Sequence, residues 1–306
     1  MFPFHTIVDS TFLDLISDTE LTPVNRKFVL GIINDFEDGK WRFDQFQRFI
    51  WNNLAESALS FRERVSLVGD PASILAEAAK KLRLTDKEDD ISKGSELAEI
   101  VLYGVMKHKF NALPVVPKIF YKQNKQDNAK GSDSVHIVVH GDDFSLWFGE
   151  AKFYNSIAEA RLGEIIKSVG NSLLTEKLKK ENSIITDVSD IDYLITDKVL
   201  NTKIKEALSS KESIDTIKPK LHIPILLLHE CSITKDATLL TQSYIDELIV
   251  FHRDRANAYF KKQIEELKEK VFLYSEISFH IILFPVPEKE TIVNQFVNAA
   301  QFYSKQ

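Results

Sequence analysis

Two strand-like stretches, Ser134–His140 and Asp143–Tyr154, flank the dipeptide Gly141-Asp142, and this constrains the fold more than any other feature. A two-residue loop with glycine first suits a type II′ hairpin turn. That turn sets the register. His140 pairs with Asp143, Val139 with Phe144, Ile137 with Leu146, Val135 with Phe148, and Asp133 falls opposite Glu150. Opposite partners share a face and side chains alternate faces. One face therefore carries Val135, Ile137, Val139, Phe144, Leu146 and Phe148, and ends in Asp133, Glu150 and Lys152. The other carries His136, Val138, His140, Ser145 and Trp147 and is more polar. A register chosen from the turn alone thus segregates the apolar residues.

Two carboxylates directly opposite one another repel, and a sheet that only has to fold gains nothing from them. A divalent cation between Asp133 and Glu150, with Lys152 beside it, accounts for the arrangement. Hard carboxylate oxygens suit Mg²⁺, with Mn²⁺ as a substitute. Such an ion polarises a phosphodiester oxygen and acidifies a bound water, and a lysine supplies positive charge at the reacting phosphorus.

The rest of the chain narrows the alternatives. Its 306 residues are 44% hydrophobic, enough for a sizeable core. A net charge of −6 provides no global field for nucleic acid or membrane, so such a partner needs a local patch. Lys118, Lys122, Lys125 and Lys130, interleaved with Phe120 and Tyr121, form one just before the hairpin and are candidates for phosphate contact, as is Tyr154 after it. Ser156 is the expected cap of the next helix, with Glu159 at the capping-box position. A single cysteine, Cys231, excludes an internal disulfide and a multi-cysteine metal site. His229-Glu230 lacks the second histidine of a zinc-protease motif. The ten glycines all lie at or before Gly170, and no GxGxxG, GxxxxGK[ST] or GxSxG occurs, which disfavours nucleotide-driven, Rossmann and α/β-hydrolase chemistries. No secretory signal and no membrane span are expected, which places the protein in the cytoplasm.

Periodicity predicts a helical N-terminal segment over residues 1–90, with helices at Pro23–Phe36, Asp44–Val68 and from Pro71 onward, closed by a charged linker at Thr85–Ser92. Residues 91–306 read as an α/β domain. Its expected elements are a helix over Lys93–Lys109, a candidate short strand at Ile119–Tyr121, the hairpin, and a helix over Ser156–Lys180. A strand at Leu221–Leu228, an amphipathic helix at Ser243–Lys270, a strand at Ile277–Phe284 and a terminal helix at Pro287–Tyr303 follow.

Gly131-Ser132-Asp133, an apolar strand, then Gly149-Glu150-Ala151-Lys152, with helices before and after, resembles the PD-(D/E)xK nuclease core, with Ser132 where the family name has proline. Over roughly residues 93–306 the chain is more narrowly similar to nuclease subunits of the Hachiman anti-phage defence system. The strings concerned are Glu96-Leu97-Ala98-Glu99-Ile100-Val101-Leu102-Tyr103, Lys130–His136, Trp147–Tyr154 and Ile281–Val286. The resemblance implies a restriction-endonuclease-like mixed sheet flanked by helices. It also implies a metal-dependent DNA nuclease that leaves 5′-phosphate and 3′-hydroxyl ends and is restrained until a superfamily 2 helicase partner engages DNA. Asp133 and Glu150 would hold the metal, the Ala151 carbonyl would add a ligand, and Lys152 would serve the attacking water. A first-helix acid, Glu99 in preference to Glu96, would complete the cluster. Two other readings of the same residues are a non-catalytic subunit that binds helicase or nucleic acid, and a sequence-specific restriction endonuclease.

Overall fold

The computed structural model describes residues 2–16, 20–83, 94–121, 131–187 and 190–306. The linker expected at Thr85–Ser92, and Lys122, Lys125 and Lys130, lie outside these residues.

Seven strands form one mixed sheet. They are β1 (His5–Thr11), β2 (Lys27–Ile33), β5 (Leu113–Val116), β6 (Ser134–His140), β7 (Asp143–Tyr154), β8 (Leu221–Glu230) and β9 (Ser278–Val286), while β3 (Phe36–Glu37) and β4 (Lys40–Trp41) pair separately. Their order in space is β1-β2-β9-β8-β7-β6-β5. The central strands β2, β9, β8 and β7 run parallel, and antiparallel partners flank them on both sides. The helices in chain order are α1 (Phe43–Ala58), α2 (Phe61–Ser66), α3 (Pro71–Lys80), α4 (Ser95–Phe110), α5 (Lys118–Tyr121), α6 (Glu159–Ser172), α7 (Thr175–Asp187), α8 (Asp190–Leu194), α9 (Lys198–Ala207), α10 (Ile214–Ile217), α11 (Ser232–Asp236), α12 (Gln242–Leu267) and α13 (Lys289–Tyr303). Among the described residues, none is long and apolar enough to cross a membrane.

The hairpin takes the register its turn dictates: His140 pairs with Asp143, Val139 with Phe144, Ile137 with Leu146 and Val135 with Phe148. Gly141 has φ +63°, and Asp142 keeps a negative φ, as a type II′ turn requires. The face expected to be polar is also covered. Val138 and Trp147 pack into a core with α1, α4 and α13, while Val135, Ile137, Phe144, Leu146 and Phe148 pack with α6, α7, α9 and α12 on the opposite face. His136 is fully buried on the first of these faces.

The N-terminal third departs from expectation. The helix predicted at Pro23–Phe36 is instead strand β2. A parallel strand covered on both faces reads as a continuous apolar run, which periodicity cannot distinguish from a buried helix. Gly31 is needed there, because a Cβ would lie 2.7 Å from the His252 ring of α12. The first 90 residues are therefore neither all helical nor set apart: β1 and β2 extend the same sheet, and Phe49 of α1 packs where a Cβ on Gly104 of α4 would stand. Ile119–Tyr121 belongs to a helical turn, not a strand. The helix predicted over Ser156–Lys180 breaks into α6 and α7, and α6 begins at Glu159. Ser156 accepts only from Ala158 N at 3.1 Å, as a turn residue, and does not cap the helix.

Candidate active site

Strand β7 outruns its partner. The β6 ladder ends where Ser134 pairs with Gly149, so Glu150 to Tyr154 continue beside β8 alone, and Asp133 folds over the open edge. Backbone bonds fix that fold-over. Asp133 N donates to Gly149 O at 2.8 Å, and Ala151 N donates to Asp133 Oδ2 at 3.0 Å. Gly149 leaves room for this, since a Cβ would lie 2.3 Å from Ser134 Oγ and 2.7 Å from Leu102 of α4.

At this edge the ammonium of Lys152 lies 3.3 Å from Asp133 Oδ2 and 3.3 Å from Glu150 Oε2. Ser168 of α6 donates to the same Glu150 oxygen at 2.9 Å. Glu150 is 4% exposed. Burial pushes its carboxyl up, Asp133 pushes the same way, and Lys152 and Ser168 oppose them. Burial draws the Lys152 ammonium down, but the two carboxylates outweigh it and hold it charged well above its usual range. Tyr154 stands half-buried on the same face. Burial raises its hydroxyl's pKa, and it shares the field of Lys152, Glu164 and Arg161.

Asp133, Glu150 and Lys152 thus converge as the turn implied, and the Ala151 amide joins them. Glu99 does not. Among the described residues no three His, Cys, Asp or Glu side chains gather in a metal-holding group. The physical reason is strand alternation. Gly149 and Ala151 face α4, so Glu150 faces α6, on the other side of the sheet from the helix carrying Glu99. Of the two helix acids, Glu96 accepts from Arg83 N at 2.8 Å, whereas Glu99 is buried and lies in the field of Tyr103 one turn later.

Lys118 also departs from expectation. It does not present a cation to solvent. Its side chain is 0% exposed and its ammonium lies 2.6 and 2.8 Å from the two Glu181 oxygens. A lysine in a basic stretch reads as a surface residue, and only the tertiary structure, which brings Glu181 of α7 to its ammonium, buries it. Ser168 and Glu181 carry no motif. Each comes from a different helix of the chain downstream, and helical periodicity marks neither as facing the hairpin.

The donor set fits a hard divalent cation: two carboxylates on one edge, one of them buried, with a backbone amide orienting the other. In a strand a residue's N–H and C=O point to the same edge, so the Ala151 carbonyl is directed to the side of Asp133.

Comparison with known proteins gives one family. The family model described as HamA matches residues 9–300. None of the curated proteins matches the sequence.

Proposed function

The chain belongs to the HamA family, a component of Hachiman defence with an anti-phage role, and on that premise we propose that it is the system's metal-dependent DNA nuclease. In this reading it has a PD-(D/E)xK core, hydrolyses phosphodiester bonds and works with a superfamily 2 helicase. The observation that carries the reading is the Lys152 ammonium, 3.3 Å from each of two carboxylates at an open strand edge.

Asp133 and Glu150 would hold Mg²⁺ or Mn²⁺, with the Ala151 carbonyl as a further oxygen. Glu99, which the resemblance alone offers as a third ligand, lies across the sheet from this pair and has no part in the reading. The ion would polarise a phosphoryl oxygen and acidify a bound water. The protein's own groups do the rest. The Ala151 N–H fixes one Asp133 oxygen, and Ser168 fixes one Glu150 oxygen, so neither carboxylate has to reorganise when substrate arrives. Burial and the neighbouring Asp133 raise the Glu150 carboxyl against the opposing pull of Lys152 and Ser168, and a bound cation would favour its charged form. Lys152 keeps its charge, and stabilises negative charge on the phosphoryl oxygens rather than acting as a base. Lys122, Lys125 and Lys130 supply backbone phosphate contacts, and Tyr154 stands beside the edge to contact the strand being cut.

The test is plasmid cleavage with Mg²⁺ or Mn²⁺ by the wild type and by Lys152→Ala, alone and with the helicase and ATP. Cleavage lost in the variant supports the reading. Equal cleavage by both refutes the site. Absence of cleavage in every condition, with metal and helicase present, refutes the nuclease and favours a non-catalytic subunit. Discrete bands in place of a smear would indicate a restriction endonuclease.

A further inference from the structure

We infer that Glu181 of α7 is a positioning residue for Asp133, an assignment that rests, in its catalytic consequence, on the nuclease reading above. Glu181 is 2% exposed and lies in a charged stretch that reads as solvated helix surface. Its carboxylate does two things at once. It accepts from Lys118 Nζ at 2.6 and 2.8 Å, and its Oε1 accepts from Ser132 N at 2.8 Å. Ser132 immediately precedes Asp133, so one carboxylate fixes the chain at the residue that delivers the site's aspartate.

Two further observations point the same way. A Cβ on Gly131 would fall 1.7 Å from Glu181 Oε1, so the carboxylate occupies the space a side chain there would need. This explains the glycine of the Gly131-Ser132-Asp133 string: φ is unremarkable, and the close approach is what excludes a side chain. The other partner is itself held. Lys118 N donates to Tyr103 Oη at 3.1 Å, and that hydroxyl donates to Val116 O. The network therefore runs from α4 through α5 and α7 to the start of β6, and every described member is buried. An ion pair buried this completely costs desolvation and is a poor choice for stability alone. Orienting the strand that carries a metal ligand is a role for which an outer carboxylate is suited.

The test separates position from charge. In Lys118→Met with Glu181→Gln the ion pair is gone, but an amide oxygen still accepts from Ser132 N. In Lys118→Met with Glu181→Met both are gone, and no charge is left buried. Amide hydrogen exchange at Ala151, whose N–H bonds Asp133, reports the aspartate's position without metal. Mn²⁺ titration calorimetry reports the site. The Met/Met variant is expected to exchange faster at Ala151 and to lose about 10- to 100-fold in Mn²⁺ affinity, while Met/Gln stays close to wild type. Gly131→Ala, which keeps both charged residues but displaces the Glu181 carboxylate, should reproduce the Met/Met result. Unchanged Ala151 exchange in both Met/Met and Gly131→Ala overturns the assignment. If Ala151 responds but the wild type binds no Mn²⁺, the structural role stands and the metal reading falls.

Discussion

Replacing Lys152 with methionine keeps most of the length of the side chain and removes an ammonium that lies between Asp133 and Glu150. Each 3.3 Å contact is worth about 5 kcal/mol of attraction at an effective dielectric of about 20. Desolvation of three groups offsets most of that, and with 29% of the lysine side chain exposed the remainder is partly screened. We expect a net loss of about 2 kcal/mol at pH 7.5. For a chain of 306 residues that lowers Tm by roughly 3 °C. The sign of the pH dependence follows from Glu150. Its pKa in the fold lies above the ordinary value, so the native state holds more protons than the unfolded chain in that window. Its contribution then falls as pH rises through the window. Without the ammonium the two carboxylates repel more strongly and one retains its proton to higher pH. The deficit of Lys152→Met should therefore be larger at pH 7.5 than at pH 5. Saturating Mn²⁺ should also restore more stability to the variant than to the wild type, because the ion takes over the neutralising role. Urea unfolding of both proteins at the two pH values, with and without Mn²⁺, measures this. A variant as stable as wild type at pH 7.5, or one equally weakened at both pH values, would refute the electrostatic account of the site.

Gly149→Ala should cost about 1–3 kcal/mol by overpacking, because the new methyl meets Ser134 Oγ and Leu102 within 2.7 Å on the face α4 covers; an unchanged urea midpoint would count against that close packing. Burial depresses six imidazoles, His136 to about 3, His222 and His229 to about 4, His252 and His280 well below their usual range, and His108 in the same direction. A histidine held neutral in the fold binds fewer protons than in the unfolded chain. Stability should thus fall as pH drops below about 6.5, by up to about 1.4 kcal/mol per pH unit for each histidine, against the opposite contributions of Glu150 and Asp190. Unfolding midpoints measured from pH 7.5 to pH 4.5 would show it, and a level profile would mean the rings are not neutral in the fold. Among the described residues His252 has no hydrogen-bond partner on either ring nitrogen, so His252→Leu should flatten part of that acid loss without lowering stability at pH 7.5.

What the sequence determined by itself is local. Gly141-Asp142 sets the turn, the turn sets the pairing, and the pairing carries Glu150 and Lys152 to the edge where Asp133 enters the hairpin, although part of what holds Asp133 there comes from Glu181 of α7 through Ser132. The strands at Leu221–Glu230 and Ser278–Val286 and the helices α12 and α13 were legible for the same reason, since their patterns lie within one element. Tertiary structure decided whatever depends on which surfaces meet. Lys27–Ile33 is a strand because β9 pairs with it and both its faces are covered, not because of its own periodicity. Glu99 sits apart from the carboxylate pair because strand alternation turns Glu150 toward α6. Lys118 is a buried partner of Glu181, and Ser168 a partner of Glu150, because α7 and α6 fold back over residues 63 and 18 positions away in sequence. Such contacts leave no periodic trace, since each joins one residue on a helix to one residue on a distant segment.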